Sequence, residues 1–108
     1  MVEIAETMWA IDPEGAGGPE ILVPVKRPVP SPGPGQVLIR VAAAGVNRPD
    51  VAQRTGRYPP PPGASPLPGL EIAGVVAQVG EGVDQWGVGD AVCALVNGGG
   101  YAPWCIAE

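Results

Sequence analysis

The sequence contains no histidine, and this removes the most common general base and the most common metal ligand of proteins. Only two cysteines are present, Cys93 and Cys105. A structural zinc site needs four cysteine or histidine ligands, so this chain alone cannot build one. Two cysteines form no disulfide framework, and reduced thiols in a cytoplasmic protein are the simplest interpretation. Chemistry must therefore depend on carboxylates, tyrosine, asparagine, arginine, the thiols or a cofactor.

Positive charge is also scarce, since six Lys and Arg residues face eleven Asp and Glu residues, for a net charge of −5. Nucleic acids bind to basic surfaces, so we expect no nucleic-acid partner. No apolar run approaches the roughly 18 residues of a membrane span, so we expect no membrane partner. The first ten residues carry two acids and no Lys or Arg, unlike a secretory signal.

Glycine and proline are abundant instead, at 17 and 15 of 108 residues, a level that can indicate disorder. Valine, isoleucine and leucine number 15, 6 and 5, however, which is above the roughly one-fifth needed for a core. The glycines and prolines also cluster between the apolar runs, where turns belong. The composition therefore predicts one compact, turn-rich β domain.

The apolar runs have the length and periodicity of strands. The strongest candidates are residues 36–46, which alternate in polarity, and Gly69–Gly80, in which Gly74 indicates a bulge or a close backbone approach. Residues 1–7 are predicted to be a loosely held leader. The other predicted strands are Met8–Ile11, Ile21–Val25, Ala91–Val96 and Tyr101–Ala107, the last two forming a hairpin around NGGG. This pattern predicts a mainly β fold, either a small barrel or a sandwich.

One short helix is predicted at Arg48–Thr55. Asn47 can be its N-cap, with Asp50 at the third helical position as in a capping box. Gly56 is placed to end the helix in a left-handed conformation. The i, i+4 spacing of Asp50 and Arg54 predicts an ion pair on the helix surface, and bracing of a cleft wall is the alternative.

Five motifs occur in a fixed order along the chain: NRPD at 47–50, RTGRYPPPPG at 54–63, GLEIAGVV at 69–76, GVGDAV at 87–92 and GGGYA at 98–102. Their order and spacing resemble the zinc-free, zeta-crystallin-like quinone oxidoreductases of the medium-chain dehydrogenase/reductase superfamily, over about residues 8–108. The resemblance implies a GroES-like, partly open β-barrel with one short helix, forming an incomplete catalytic domain. It also implies that a nucleotide-binding Rossmann domain would follow residue 108, because no strand, G-x-G-x-x-G turn and helix occur in this order here.

The resemblance also implies the roles of individual residues. Asn47 and Leu70 stand where zinc-dependent relatives have cysteine and histidine ligands, so the chain resembles the metal-free branch. Asn47 is then a catalytic and cofactor-binding residue that gives its amide to NADPH, with NADH also possible, or to the quinone oxygen. Tyr58 is a second catalytic residue that flanks the quinone by stacking or by donating a proton. Ala52 stands where many members have a further tyrosine.

Structural alternatives stay open for these residues. Asn47 can be a helix cap alone, and Tyr58 can pack on Pro59–Pro62, which we interpret as a rigid connector. Glu71 is interpreted as a partner for a backbone donor or an arginine rather than as a general base. The remaining candidates are interpreted as loop or packing residues: Gly98–Gly100, Tyr101, Cys93, Cys105, Trp9, Trp86 and Trp104.

Two other functions remain possible at this point, a stand-alone GroES-like binding or assembly module and a structural protein recruited from an enzyme family. If the leading hypothesis holds, the partner is a quinone or a similar small molecule. We expect the isolated 108-residue chain to lack reductase activity and to bind NADPH weakly. We also expect it to form homo-oligomers through unpaired strand edges.

Overall fold

The computed structural model describes residues 4–13 and 15–108. Its elements, in chain order, are β1 (Thr7–Pro13), a 3-10 turn (Pro19–Ile21), β2 (Leu22–Pro28), β3 (Val37–Ala44), α1 (Arg48–Arg54), β4 (Glu71–Val79), β5 (Ala91–Leu95) and β6 (Trp104–Ala107). Strands β1 and β2 form an antiparallel pair, and the other four form an antiparallel sheet in the order β5-β4-β3-β6. The prediction of a mainly β fold with one short helix and an open sheet arrangement is thus confirmed.

The two apolar clusters lie on opposite faces of β3, which explains why three consecutive residues of this strand are buried. Val37 and Ile39 pack with Ile72, Val76, Cys105 and Ala107 on one face. Leu38 packs on the other face with four residues that include the β1 side chains: Met8, Ala10, Leu67 and Trp104. Because both faces of β3 are covered, its first residues do not show the polar-apolar alternation that we expected for a half-buried strand.

The glycine-rich connection after β5 does not form the predicted hairpin. Strands β5 and β6 lie at opposite edges of the sheet, and β6 pairs with β3. Residues 98–101 instead lie along the segment before β4, where the N–H groups of Gly99 and Gly100 donate to the carbonyls of Leu67 and Gly69 at 2.9 and 3.0 Å. Glycine allows this close approach, because a Cβ at Gly100 would lie 2.9 Å from the carbonyl carbon of Gly69.

The start of the domain also differs from prediction, since residues 4–7 are not a loose leader. Thr7 already belongs to β1, and Ile4 packs against the cluster around Met8. The carbonyl of Glu6 accepts a hydrogen bond from the N–H of Val29 at 3.0 Å. Residues 1–3 of the predicted leader lie outside the described residues.

Gly74 confirms the close approach that its place in an apolar strand predicted. It pairs with Val41, next to an irregularity in the β3–β4 register between Val41 and Ala43. A Cβ at Gly74 would meet the backbone carbonyl of Arg40. No side chain can therefore be accommodated at this position without a shift of β3.

Helix α1 begins and ends as predicted, within one residue. Asn47 is its N-cap, with the extended backbone angles φ −131° and ψ 161°. Gly56 follows the helix with φ +83°, which is the left-handed conformation that favours glycine. In the described part of the chain, no helix is long and apolar enough to cross a membrane.

The predicted ion pair between Asp50 and Arg54 does not form. Asp50 is buried, with 6% of its surface exposed. The guanidinium of Arg54 donates to the carbonyl of Gly17 at 2.7 Å, and the carbonyl of Arg54 accepts from the N–H of Gly17 at 3.0 Å. The last turn of the helix is thereby joined to the loop after β1, and Asp50 is left for other partners.

Candidate active site

The short segment between β3 and α1 places Asn47 beside the first residue of β4. The N–H of Gly45 donates to the carbonyl of Glu71 at 2.9 Å, directly after the last β3–β4 pair, Ala44 and Ile72. The chain then turns into the helix within two residues. The sheet register thus determines which β4 side chain faces Asn47.

Asn47 is held both through its backbone and through its side chain. Its backbone N–H donates to Oδ2 of Asp50 at 2.9 Å, the interaction expected of a capping box. Its side-chain Nδ2 donates to Oε1 of Glu71 at 3.1 Å. Asn47 is therefore the helix N-cap, and its side-chain amide is at the same time hydrogen-bonded to a carboxylate. Glu71 was predicted to serve a backbone donor or an arginine, whereas its partner is this amide.

Asp50 and Tyr101 form a pair that joins the helix to the glycine-rich segment before β6. The Tyr101 hydroxyl donates to Oδ2 of Asp50 at 2.6 Å. The other carboxylate oxygen, Oδ1, is buried and has no hydrogen-bond partner among the described groups. Burial of the phenol, and then the hydrogen bond to Asp50 and its negative charge, raise the pKa of Tyr101 well above its usual range. The hydroxyl therefore remains a proton donor to Asp50 at neutral pH.

This pair was missed at the level of sequence, where Asp50 was assigned to the helix surface and Tyr101 to a hairpin. The two residues are 51 positions apart, so no local spacing rule connects them. The capping-box position of Asp50 and the GGGYA motif were the available signals. Neither one specifies the partner of the other.

Tyr58, the second predicted catalytic residue, lies in the loop between α1 and β4. Its side chain is 40% exposed. The hydrogen-bonded network that contains Asn47, Asp50, Glu71 and Tyr101 does not include it. The role of Tyr58 therefore remains a prediction.

The two thiols differ in their surroundings. Cys105 is buried, as predicted, and burial raises its pKa to about 11. Cys93 was also predicted to be in the core, but it is exposed on the edge strand β5. Trp104 is a packing residue as expected, with 4% exposure, whereas Trp9 and Trp86 are 62% and 50% exposed, contrary to prediction.

Two clefts lie away from Asn47 and Tyr58. One has a volume of about 600 Å³ and runs between the loop at Pro61–Leu67, the segment Leu95–Gly99 and strand β6. The other has a volume of about 320 Å³ and opens onto the core near Val37 and Trp86. Neither cleft is lined by Asn47 or Tyr58. The candidate site at the start of α1 is therefore separate from these two clefts.

Comparison with known proteins agrees with this architecture. A family model described as the alcohol dehydrogenase GroES-like domain matches residues 33–108. The chain belongs to this family. The domain is similar to the synaptic vesicle membrane protein VAT-1 homolog of Rattus norvegicus, at 45% identity over 87 residues, which are 79% of this chain and 22% of that protein. It is also similar to the quinone oxidoreductase of Lama guanicoe, at 41% identity over 102 residues, 93% of this chain and 31% of that protein.

A solved structure shows the same fold. The crystal structure of the human VAT-1 homolog-like protein superimposes on this GroES-like domain with a TM-score of 0.84 at 35% sequence identity, covering 94% of this chain and 33% of that one. The chain thus spans less than a third of the length of the curated relatives named above. The membership confirms the predicted resemblance: the matching model is that of the GroES-like domain of alcohol dehydrogenases, and a protein named quinone oxidoreductase is among the relatives.

The side chains that the structure describes in this GroES-like domain do not form a zinc site. Within residues 4–13 and 15–108, no three His, Cys, Asp or Glu side chains are grouped closely enough to hold a metal. Asp50 already accepts two hydrogen bonds, and Glu71 accepts one from Asn47. Cys105 is on β6, with its thiol directed at the carbonyl of Gly98 at 3.7 Å. A catalytic zinc ion needs three protein ligands in one place.

Proposed function

We propose that this domain forms one wall of the hydride-transfer cleft of a zinc-independent NAD(P)H:quinone oxidoreductase located in the cytoplasm. The substrate is a quinone or a related α,β-unsaturated carbonyl compound. A reduced nicotinamide, expected to be NADPH and held mainly by a separate nucleotide-binding domain, supplies the hydride when bound. The similarity to proteins named quinone oxidoreductase supports the substrate class.

The observation that carries this proposal is the arrangement of the Asn47 amide. A side-chain amide nitrogen has two N–H groups, and Glu71 accepts a hydrogen bond from Nδ2 of Asn47. The second N–H is then the donor that Asn47 can give to a quinone oxygen or to the cofactor. The preceding residue, Val46, is 81% exposed and offers an apolar surface beside that donor.

For a quinone, a hydrogen-bond donor is sufficient to stabilise the charge that develops on the oxygen during reduction. Reduction of a simple carbonyl leaves charge on one oxygen, which a Lewis acid stabilises. Reduction of a quinone gives an aromatic hydroquinone, whose anion is delocalised over the ring. Preorganised donors such as Asn47, with Tyr58 flanking the ring, then provide the stabilisation that the reaction needs.

The test uses a longer chain that continues into the nucleotide-binding domain. Oxidation of NADPH is followed with a quinone as acceptor, in the parent and in Asn47→Ala and Tyr58→Ala variants. Loss of one preorganised donor lowers kcat by about 10²-fold, so we expect Asn47→Ala to fall in that range. Asn97→Ala is the matched control, because Asn97 is exposed and lies outside the network. Near-normal turnover in both site variants would refute the assigned roles.

A stand-alone binding or assembly module is the second candidate. The relatives named as VAT-1 homologs, whose name describes a vesicle membrane protein rather than an enzyme, favour it. This candidate predicts that a folded longer chain oxidises no NADPH with any quinone tested.

A further inference from the structure

Gly45 has no conformational reason to be glycine. Its φ is not among the positive values found at nine other glycines, so an L-residue could adopt the same backbone. What a side chain would meet at this position is Glu71. The three atoms nearest to a Cβ at Gly45 all belong to the Glu71 side chain. Oε1 is the nearest, followed by Cδ at 2.8 Å and Cγ at 3.3 Å.

The Glu71 side chain therefore lies across Gly45 on its way to Asn47. Glu71 is the first residue of β4 and is exposed, so its side chain is free to extend into solvent. It bends over Gly45 instead, and its Oε1 accepts the hydrogen bond from Nδ2 of Asn47. One placement of the carboxylate thus accounts for both the empty Cβ position at Gly45 and the charge-assisted hydrogen bond to Asn47.

We propose that Glu71 is a positioning residue for Asn47, and that Gly45 is needed because its missing side chain lets the carboxylate reach the amide. The inference rests on the proposed function. A carboxylate opposite Nδ2 fixes the orientation of the amide, since the flipped amide would place Oδ1 against a negative oxygen. The group that Asn47 presents outward is then an N–H. The site selects a ligand with an acceptor oxygen at this point, such as a quinone or carboxamide, over one that presents only N–H donors, such as an ammonium group.

The test is an NMR measurement on the ¹⁵N-labelled 108-residue chain, which requires no turnover. The side-chain amide resonances of Asn47 are assigned by their disappearance in Asn47→Ala. Glu71→Ala removes the acceptor, and Gly45→Ala displaces it while leaving every hydrogen-bonding group in the chain. We expect both variants to move the two Asn47 amide proton resonances toward each other and to accelerate their exchange with water.

Two further variants separate positioning from a general effect on structure. Glu71→Gln keeps an acceptor oxygen at the same distance along the side chain but removes its charge, so we expect resonances between those of the parent and those of Glu71→Ala. Gly87→Ala is the matched glycine control, since Gly87 also lacks a positive φ and a Cβ there would have no atom within 4 Å. We expect this control to leave the Asn47 resonances unchanged.

The proposal is overturned if folded Glu71→Ala and Gly45→Ala chains keep the Asn47 amide resonances and exchange rates of the parent. Should Gly45→Ala not fold, the comparison of Glu71→Ala with Glu71→Gln decides in the same way. Equal effects of these two substitutions would also overturn it. Failure of the proposed function gives a different result, namely absence of turnover in the longer chain with the NMR differences still present.

Discussion

Replacing Tyr101 by phenylalanine tests the buried pair that joins the helix to the segment before β6. The substitution removes the hydroxyl that donates to Asp50 at 2.6 Å and keeps the ring. Asp50 is 6% exposed and its Oδ1 has no partner among the described groups, so the variant leaves its carboxylate with the N–H of Asn47 as donor. Hydrogen bonds to charged groups contribute roughly 1.5–3 kcal/mol. Because Tyr101 is only half-buried, we expect the free energy of unfolding to fall by about 1.5–2 kcal/mol, the lower part of this range.

The assay is thermal and urea unfolding of the 108-residue chain. In a domain of this size, each kcal/mol shifts Tm by about 4–8 °C, so we expect Tyr101→Phe to lower Tm by about 10 °C. Tyr58→Phe is the matched control, because Tyr58 is 40% exposed and lies outside the network. Exposed substitutions of this kind stay within about 0.5 kcal/mol. Equal Tm values for the two variants would refute the reasoning.

The same pair makes stability depend on alkaline pH. The folded-state pKa of Tyr101 lies above its ordinary value because of burial and Asp50. A raised pKa means that the stabilisation is complete below about pH 10, where the unfolded tyrosine begins to ionise, and is lost as pH rises toward the folded pKa. In Tyr58→Phe, Tyr101 is the remaining tyrosine of the two in the chain. We expect the midpoint of the Tyr101 absorbance titration to lie near pH 10 in denaturant and at higher pH in the native chain. A native midpoint near pH 10 would contradict this account.

Two further outcomes follow from burial and from close backbone approach. Cys93 is exposed, whereas Cys105 is buried with a pKa raised to about 11. We therefore expect a thiol reagent at pH 8 to modify Cys93 rapidly and Cys105 only after unfolding. Rapid reaction of both thiols in the native chain would contradict this expectation. Gly74→Ala should lower the free energy of unfolding by about 1–3 kcal/mol or prevent folding, because its Cβ would meet the Arg40 carbonyl. In the control Gly87→Ala, the free energy of unfolding measured in urea should stay within about 0.5 kcal/mol of the parent.

The features that could be predicted from the sequence are those with local causes. The ends of α1 follow from Asn47 at the cap and from Gly56 with a positive φ, and both signals lie within ten residues of each other. The close approach at Gly74 could be predicted because glycine interrupts an otherwise apolar strand. The fold class followed from the strand-like runs and their spacing.

The features that could not be predicted depend on tertiary neighbours. The i, i+4 rule paired Asp50 with Arg54, but burial gave Asp50 a phenol from 51 residues away and gave Arg54 the carbonyl of Gly17. The NGGG segment indicated a tight turn, yet its glycines serve contact with the backbone before β4. The partner of Glu71 followed from the β3–β4 register, which the sequence of one strand does not specify.

The pairing of β6 with β3 has a consequence for the order of events during synthesis and folding. Residues 37–40 pair with residues 104–107, so one side of β3 stays unpaired until more than 60 further residues have been made. Closing so long a loop is entropically unfavourable, and such non-local pairing folds slowly, on a scale of roughly milliseconds to seconds. Until then β3 exposes a free edge with apolar side chains on both faces. That interval, rather than the finished domain, is when the nascent chain is most prone to aggregate and most in need of a chaperone.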